Sequence, residues 1–360
     1  MNMSVATRPV VITGGAGFIG SNLADRLARD GHHVLIFDSL ARPGVERNVA
    51  WLAARHGPAV SLMREDIRDE RAVAAALAQA RAVFHLAAQV AVTSSLVDPR
   101  EDFAINLAGT LNVLEALRAR REPVPLVFAS TNKVYGDLAD VSLADEGGAY
   151  RPVDTGLRAN GIDENRPLDF HTPYGCSKGA ADQYVLDYSR NFGLPTAVLR
   201  MSCIYGPRQL GTEDQGWVAH FMIRALRDTP ITIYGDGHQV RDVLYIDDAV
   251  EAYVRSWQSL SRPGSPISGR AFNLGGGPAN AVSLLQLTSR MESMLGRPVT
   301  LNFQDWRAGD QHYFVADTRR LTEQLALPTP RPWRVGLERL AAWLDAEHAP
   351  VAAPQQVARV

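Results

Sequence analysis

Tyr174 and Lys178 stand four residues apart in Tyr-Gly-Cys-Ser-Lys, ahead of the helix-like run GAADQYVLDYSRNFG. Four residues is about one helical turn, so the two side chains share a face. A phenol with a pKa near ~10 is a poor base at neutral pH, and an adjacent ammonium stabilises the phenolate and lowers that value. Such a pair can take a proton from a hydroxyl group and return it. The spacing alone is common on amphipathic helices and carries no function by itself. It gains meaning from two other places in the chain: a glycine-rich turn at 14–20, and Ser130-Thr131 closing the apolar run PLVFAST.

The turn reads Gly14-Gly15-Ala16-Gly17-Phe18-Ile19-Gly20, after the β-branched run PVVIT and before a helical pattern through Leu23 and Leu27. A strand, a tight glycine turn and a helix N-terminus let backbone N–H groups approach a pyrophosphate. Gly14, Gly17, Phe18, Ile19 and Gly20 are therefore candidate dinucleotide contacts. Asp38 follows 18 residues after Gly20, at the end of the next strand. A carboxylate there accepts from adenosine ribose hydroxyls and repels a 2′-phosphate, which favours NAD over NADP, although Arg42 lies close by. Asp66-Ile67, after the third strand, suits an adenine contact, and Asp66 suits a helix cap equally well.

The elements that must position these residues alternate regularly. Strand patterns at 32–38, 60–66, 82–88, 125–131 and 195–200 are separated by helical runs, among them VERNVAWLAARHG, DERAVAAALAQA and a long helix around Asn106–Arg118. Two-sided apolar strands alternating with helices predict an α/β fold, a Rossmann-type doubly wound parallel sheet covered on both faces. Residues 1–200 form the expected dinucleotide-binding domain, with 238–276 partly returning to it through AFNLGG. Residues 201–237 and 277–348 form the expected smaller C-terminal substrate-binding lobe, and 349–360 reads as a disordered tail. The polar, Gly/Pro-rich stretch from Leu138 to His171 reads as a functional loop rather than a core element.

Composition narrows the function. Among 360 residues, Lys+Arg 37 against Asp+Glu 39 gives a net charge of -2, with 46% hydrophobic residues. That balance argues against nucleic-acid or membrane-surface partners, and no apolar run reaches the ~18 residues of a membrane span. The N-terminus lacks the apolar core of a signal peptide, so a cytoplasmic location is expected. Cys176 and Cys203 form no metal-spaced cluster and no H-E-x-x-H occurs, so no metal is expected.

The segments VFASTNKVYGD, NGIDENRPLDFHTPYGCSKGAADQYVLDYSR, YGPRQLGTEDQGWVAHF and GDGHQVRDVLYIDD resemble the extended short-chain dehydrogenase/reductases that modify nucleotide sugars, and among them the CDP-paratose (CDP-tyvelose) 2-epimerases. The likeness runs from about Arg8 to Leu344. It implies NAD as cofactor, Tyr174 as base, Lys178 as its partner, Thr131 as a sugar-hydroxyl contact and Asn106 as a helix residue ordering the proton relay. Gly14, Gly17, Gly20, Asp38, Asp66 and Ile67 fall on NAD contacts in that pattern, with Ala87 and Ala88 lining the cofactor cleft.

A nucleotide-sugar substrate carries a diphosphate, which a planar guanidinium matches well. Arg241 and Arg307 match the family's phosphate contacts, and Arg208 is a third candidate. Gln215, Gly216 and Trp217 are candidates for the base pocket, although Trp217 suits the core equally well. Thr93, Ser94, Ser95, His171 and Thr172 are expected around the sugar, with His171 as a hydrogen-bonding wall. The implied reaction is epimerisation at C2 of a CDP-hexose or CDP-deoxyhexose by transient oxidation, turnover of the keto sugar and re-reduction. The alternatives are a 4-epimerase and a 4,6-dehydratase. Dehydration needs an added acid and base after the strand-end Thr, where this chain has Asn132 and Lys133. A homodimer or homotetramer is expected.

Overall fold

The computed structural model describes residues 8–307 and 309–348; the expected tail at 349–360 lies outside the described residues. The chain begins with β1 (Val10–Thr13), α1 (Phe18–Arg29), β2 (Val34–Phe37), α2 (Glu46–His56), β3 (Val60–Met63), α3 (Glu70–Leu77) and β4 (Ala82–His85). Next come α4 (Val92–Val97), α5 (Pro99–Phe103), a π-helical turn (Ala104–Ala108), α6 (Gly109–Arg118) and β5 (Leu126–Thr131). A hairpin of β6 (Leu143–Asp145) and β7 (Tyr150–Pro152) leads through α7 (Thr155–Asn160) to α8 (Thr172–Phe192) and β8 (Thr196–Met201). The remainder comprises β9 (Cys203–Tyr205), α9 (Trp217–Leu226), β10 (Ile231–Tyr234), β11 (Val240–Tyr245), α10 (Ile246–Leu260), β12 (Arg270–Leu274), β13 (Ala281–Ser283), α11 (Leu284–Leu295), β14 (Leu301–Gln304), β15 (Tyr313–Phe314), α12 (Arg319–Leu325) and α13 (Trp333–His348).

Seven strands form one parallel sheet in the order β12-β8-β5-β4-β1-β2-β3. The order reverses between β1 and β4, and a ligand crevice opens outside the carboxyl ends of strands at such a point. Successive residues of β1 serve opposite faces. Val10 and Ile12 pack with Leu23, Leu27 and Tyr253, whereas Val11 packs with Val73, Leu77, Val113 and Leu117. This two-sided burial is why the strands read as continuous apolar runs rather than alternating ones. The doubly wound sheet predicted from the pattern is present, and AFNLGG does return to it as β12.

Three local expectations need correction. The third strand stops at Met63 rather than running to 66, because Asp66 turns its carboxylate back onto the backbone N–H and guanidinium of Arg68. The helix expected around Asn106–Arg118 is preceded by a π turn that contains Asn106. The stretch from Leu138 to His171 is an ordered insertion with a hairpin and a short helix, not a bare loop. Its buried Leu138, Val141 and Ile162 form a small core with Val134, Tyr135, Phe314 and Ala316. Phe314 and Ala316 lie far away in sequence, which is why local periodicity gave no sign of this core. Among the described residues, no helix is long and apolar enough to cross a membrane.

Candidate active site

A cleft of about 760 Å³ opens at the carboxyl ends of β1, β2, β4 and β5. Its floor is the glycine turn. Gly14 has φ +69°, and a Cβ there would lie 2.7 Å from the backbone nitrogen of Ala87. A Cβ on Gly20 would lie 2.5 Å from the carbonyl oxygen of Gly14. The turn thus tolerates no side chain at either position, and it brings bare backbone up to the cleft. Helix α1 starts at Gly17 with no side-chain cap and no acidic residue in its first turn. Its free N–H groups and positive end suit an anion, so the residues present fit a dinucleotide pyrophosphate.

Phe18, Ile19, Asp38, Asp66, Ile67, Ala87 and Ala88 line the same cleft. Asp38 accepts from the N–H of Ala16 at 3.0 Å and of Leu40 at 2.9 Å, one bond per oxygen, which leaves lone pairs for a ribose hydroxyl. Burial nonetheless raises its pKa. Arg42 also lines the cleft, but it donates to the Leu210 carbonyl at 2.8 Å. Asp66 does not cap the following helix; Asp69 does that, through the N–H groups of Arg71 and Ala72.

The proton-transfer group stands where β5 meets α8. Tyr174, Lys178 and Thr131 all line the cleft, and a Thr131 hydroxyl that donates to the Tyr174 phenolate lowers the phenol pKa. The expectation that the ammonium lowers the phenol pKa is corrected by the burial of both groups. Burial pushes Tyr174 up to about 12 and Lys178 down to about 7. A low-polarity surrounding disfavours the phenolate and the ammonium alike. Lys178 Nζ rests 4.2 Å from the ring centroid of Phe128, and Asp182 and Asp102 partly offset its desolvation. Ser130 lines the cleft as well, and its hydroxyl donates to buried Asp182, which also pairs with Arg200.

Asn106 is buried on the π turn, an element that recurs at functional sites. Its amide nitrogen donates to Gln89 O, Asp102 and Ser177, while its oxygen accepts from Gln89 N–H at 2.9 Å. It therefore pins the segment after β4 to α8 without touching Tyr174. Gln89 was not foreseen from sequence, nor was Gln209, whose buried Oε1 has no protein partner. Both line the cleft, as does Cys203, which accepts from the Trp217 indole at 3.3 Å. The YGPRQLG motif was the available signal for Gln209.

The candidate substrate residues divide into two groups. Ser94, Gln215, Gly216 and Trp217 line the cleft, and Trp217 also packs on the main core. Ser95 accepts from the Tyr174 N–H at 3.2 Å. Thr93, His171, Thr172, Arg241 and Arg307 are not among the lining residues. The Thr93 hydroxyl is buried without a partner. His171 is half-buried between Asp137 and Asp169, a trio whose ligand-type atoms lie within 4.8 Å of one another, and Thr172 holds a strained φ of +63°. Arg241 is buried and paired with Asp310 at 2.7 Å, while Arg307 lies over the Tyr234 ring and 3.3 Å from Asp214. Arg208 is corrected. Its guanidinium lies between Trp51 and Trp343 and pairs with Glu347, which makes it a clasp on α13 rather than a phosphate contact.

Residues 10–275 match the family model described as the NAD dependent epimerase/dehydratase family. A CDP-paratose 2-epimerase of Salmonella typhi is 40% identical over 341 residues, 93% of this chain and 98% of the relative. A UDP-glucose 4-epimerase of Mycolicibacterium smegmatis is 31% identical over 318 residues, covering 88% of this chain and 91% of the relative. Among solved structures, the UDP-glucose 4-epimerase of Thermus thermophilus in complex with NAD superposes with a TM-score of 0.78 at 30% identity, over 95% of this chain and 100% of that one. The glycine cradle, the switch point and the Tyr/Lys pair are thus found in a chain matched to that family over most of its length. The chain belongs to the NAD-dependent epimerase/dehydratase family.

Proposed function

We propose that this protein inverts C2 of a CDP-linked hexose or deoxyhexose. The observation that carries the reading is the strand end Thr131-Asn132-Lys133 beside Tyr174. Asn132 lines the cleft but is an amide, and Lys133, which does not line it, donates to the Gly309 carbonyl at 3.0 Å, so neither supplies the acid or base an elimination needs. The likeness to the Salmonella typhi CDP-paratose 2-epimerase supports the base and the carbon.

Bound NAD supplies a reversible hydride acceptor. Gly14, Gly17, Phe18, Ile19 and Gly20 hold its pyrophosphate, Asp38 its ribose, and Asp66, Ile67, Ala87 and Ala88 the walls around it. Tyr174 takes the proton from the sugar hydroxyl as its carbon is oxidised, and Thr131 orients that hydroxyl. The keto sugar turns over, and Tyr174 returns the proton after the other face has been reduced. Lys178 supports the phenolate, and Asn106 keeps α8 in register with the segment after β4. Ser94, Thr93, His171 and Thr172 surround the sugar, Gln215 and Trp217 hold the base, and Arg241 and Arg307 meet the diphosphate by exchanging a carboxylate partner for phosphate.

The dinucleotide-binding domain spans 1–200 with 238–276 partly returning, and 201–237 and 277–348 form the substrate lobe. The protein acts in the cytoplasm as a homodimer or homotetramer. Exposed Leu96, Val97, Phe103, Leu111 and Tyr184, on helices that pack side by side, supply an apolar surface for association. A panel of CDP-, UDP-, GDP- and dTDP-sugars with product analysis by NMR tests the reading. Inversion at C2 of a CDP-sugar, with deuterium at C2 retained, is the expected result. Inversion at C4 would replace it with a 4-epimerase, and formation of a 4-keto-6-deoxy sugar with a dehydratase.

A further inference from the structure

Thr131 has a single hydroxyl proton, and its surroundings dictate where that proton points. Thr131 Oγ1 donates to Asn132 Oδ1 at 3.3 Å and accepts from the Lys133 N–H at 3.2 Å. Asn132 Nδ2 donates to Gln311 Oε1 at 3.2 Å, and Gln311 Nε2 donates to the Gly136 carbonyl at 2.6 Å. A carbonyl oxygen can only accept, so Gly136 fixes the orientation of the Gln311 amide. That in turn fixes the Asn132 amide, with its oxygen toward Thr131. Gln311 is fully buried, which leaves no solvent to compensate a flip of its amide, and Asn132 is almost fully buried at the edge of the cleft. The main-chain carbonyl of Gln311 also accepts from Arg241 at 2.5 Å, anchoring the far end of the chain.

With its proton committed to Asn132 and one lone pair taken by Lys133, Thr131 has one lone pair left for Tyr174. A protonated phenol satisfies it by donating. A phenolate needs the Thr131 proton and must draw it away from Asn132. We propose that Asn132 and Gln311 are positioning residues that hold the Thr131 hydroxyl as an acceptor toward Tyr174, and thereby raise the proton affinity of the phenol. Rotation of Thr131 breaks its bond to Asn132 and makes one to the phenolate, so the hydroxyl has two settings matched to the two protonation states of Tyr174. Desolvation is the main cause of the high pKa of Tyr174, and a Thr131 hydroxyl that donates to the phenolate lowers it, which is the second setting. This inference rests on Tyr174 being the proton-transferring group proposed above.

Other charged groups face the same place and remain in the variants below. Asp102 comes from α5 and raises the phenol, Lys178 stands one turn along α8, and Asp182 lies a further turn on. His85 of β4 is fully buried and is kept neutral by its desolvation and by Lys178.

The test uses the full chain carrying tyrosine labelled with carbon-13 at Cζ, with the Tyr174 signal assigned by its absence in Tyr174→Phe. Asn132→Leu removes the acceptor that holds the Thr131 proton, and Gln311→Met leaves Asn132 free to reorient. In Asn132→Leu the Tyr174 phenol is expected to titrate about one pH unit lower than in the parent, a roughly tenfold loss of proton affinity. In Gln311→Met the shift has the same sign and is smaller. With an active nucleotide sugar, the limb of the kcat–pH profile that reports Tyr174 moves likewise, while KM changes less than about threefold. Titrations that superimpose on the parent's, or that move to higher pH, overturn the proposal. Should Asn132→Leu fail to fold, Gln311→Met decides it by the same criterion. The NMR arm needs no substrate, so a nucleotide-sugar panel without turnover would sink the epimerase reading alone. Unchanged titrations with epimerisation intact would sink only the positioning role.

Discussion

The cofactor side and the proposed substrate side present charge by different means. On the dinucleotide side, the anion site is backbone: a glycine turn at φ +69° and an uncapped helix start, both formed by residues adjacent in sequence. On the sugar side, the cations expected to meet phosphate are side chains already engaged by carboxylates, Arg241 with Asp310 and Arg307 with Asp214. A backbone site is formed once the chain folds and has no competing partner to lose. A guanidinium site beside a carboxylate exchanges one charge-assisted bond for another, so its net affinity is a difference. That arrangement suits a cofactor kept through many turnovers and a substrate that must leave.

Replacing Tyr174 with Phe breaks what both sides converge on, and is expected to lower turnover by about a thousandfold or more while nucleotide-sugar binding by calorimetry stays near the parent's. Activity within tenfold of the parent would remove Tyr174 from the chemistry. Gly14→Ala attacks the backbone side. Its Cβ meets Ala87 N at 2.7 Å in a conformation that adds about 1 to 3 kcal/mol of strain, so NAD affinity should fall by tenfold or more. An NAD titration that superimposes on the parent's would refute a rigid backbone cradle.

His85 tests the rigidity of the same side through pH. It is fully buried between Thr13 and Thr110, and burial depresses its pKa to about 3. Between about 3 and the unfolded value near ~6.5 the unfolded chain binds the extra proton, so stability is full above that window and is lost as pH falls through it. Urea unfolding at pH 7 and pH 5 should differ by on the order of 2 kcal/mol, and His85→Gln should remove most of that difference. An equal pH dependence in the variant would relocate the effect to other groups.

Arg241→Ala should raise KM for the nucleotide sugar roughly tenfold to a hundredfold with a smaller change in kcat, as follows from removing a charge-assisted bond to phosphate. An unchanged KM would confine Arg241 to its pair with Asp310. The smallest effect is expected at Arg208, where Ala should leave KM within about twofold and cost about 1 kcal/mol of stability as the stacking on Trp51 and Trp343 disappears. A large KM effect there would return Arg208 to the phosphate.

The difference between the two sides also explains what was legible in the chain. Gly14, Gly17, Gly20, Asp38, Tyr174 and Lys178 were readable because their chemistry depends on short spacings within one turn or one strand–helix unit. The alternation of apolar strands and helices likewise determined the parallel sheet, whereas the reversal point that opens the cleft was seen only in the strand order of the folded sheet. Thr131 was readable as a strand end. The environment of these groups was not. Burial from several elements reversed the expected shift of the Tyr174 phenol, and it also took Lys178 down to about 7. Arg208 was misplaced because its partners Trp51, Trp343 and Glu347 come from opposite ends of the chain. Gln311, 179 residues from Asn132, entered the site only through folding. The sequence by itself thus determined which groups exist and their order along a turn, because those depend on local covalent geometry. Only the tertiary structure decided their protonation and their partners, because desolvation and hydrogen-bond direction are set by neighbours that the chain brings together from afar.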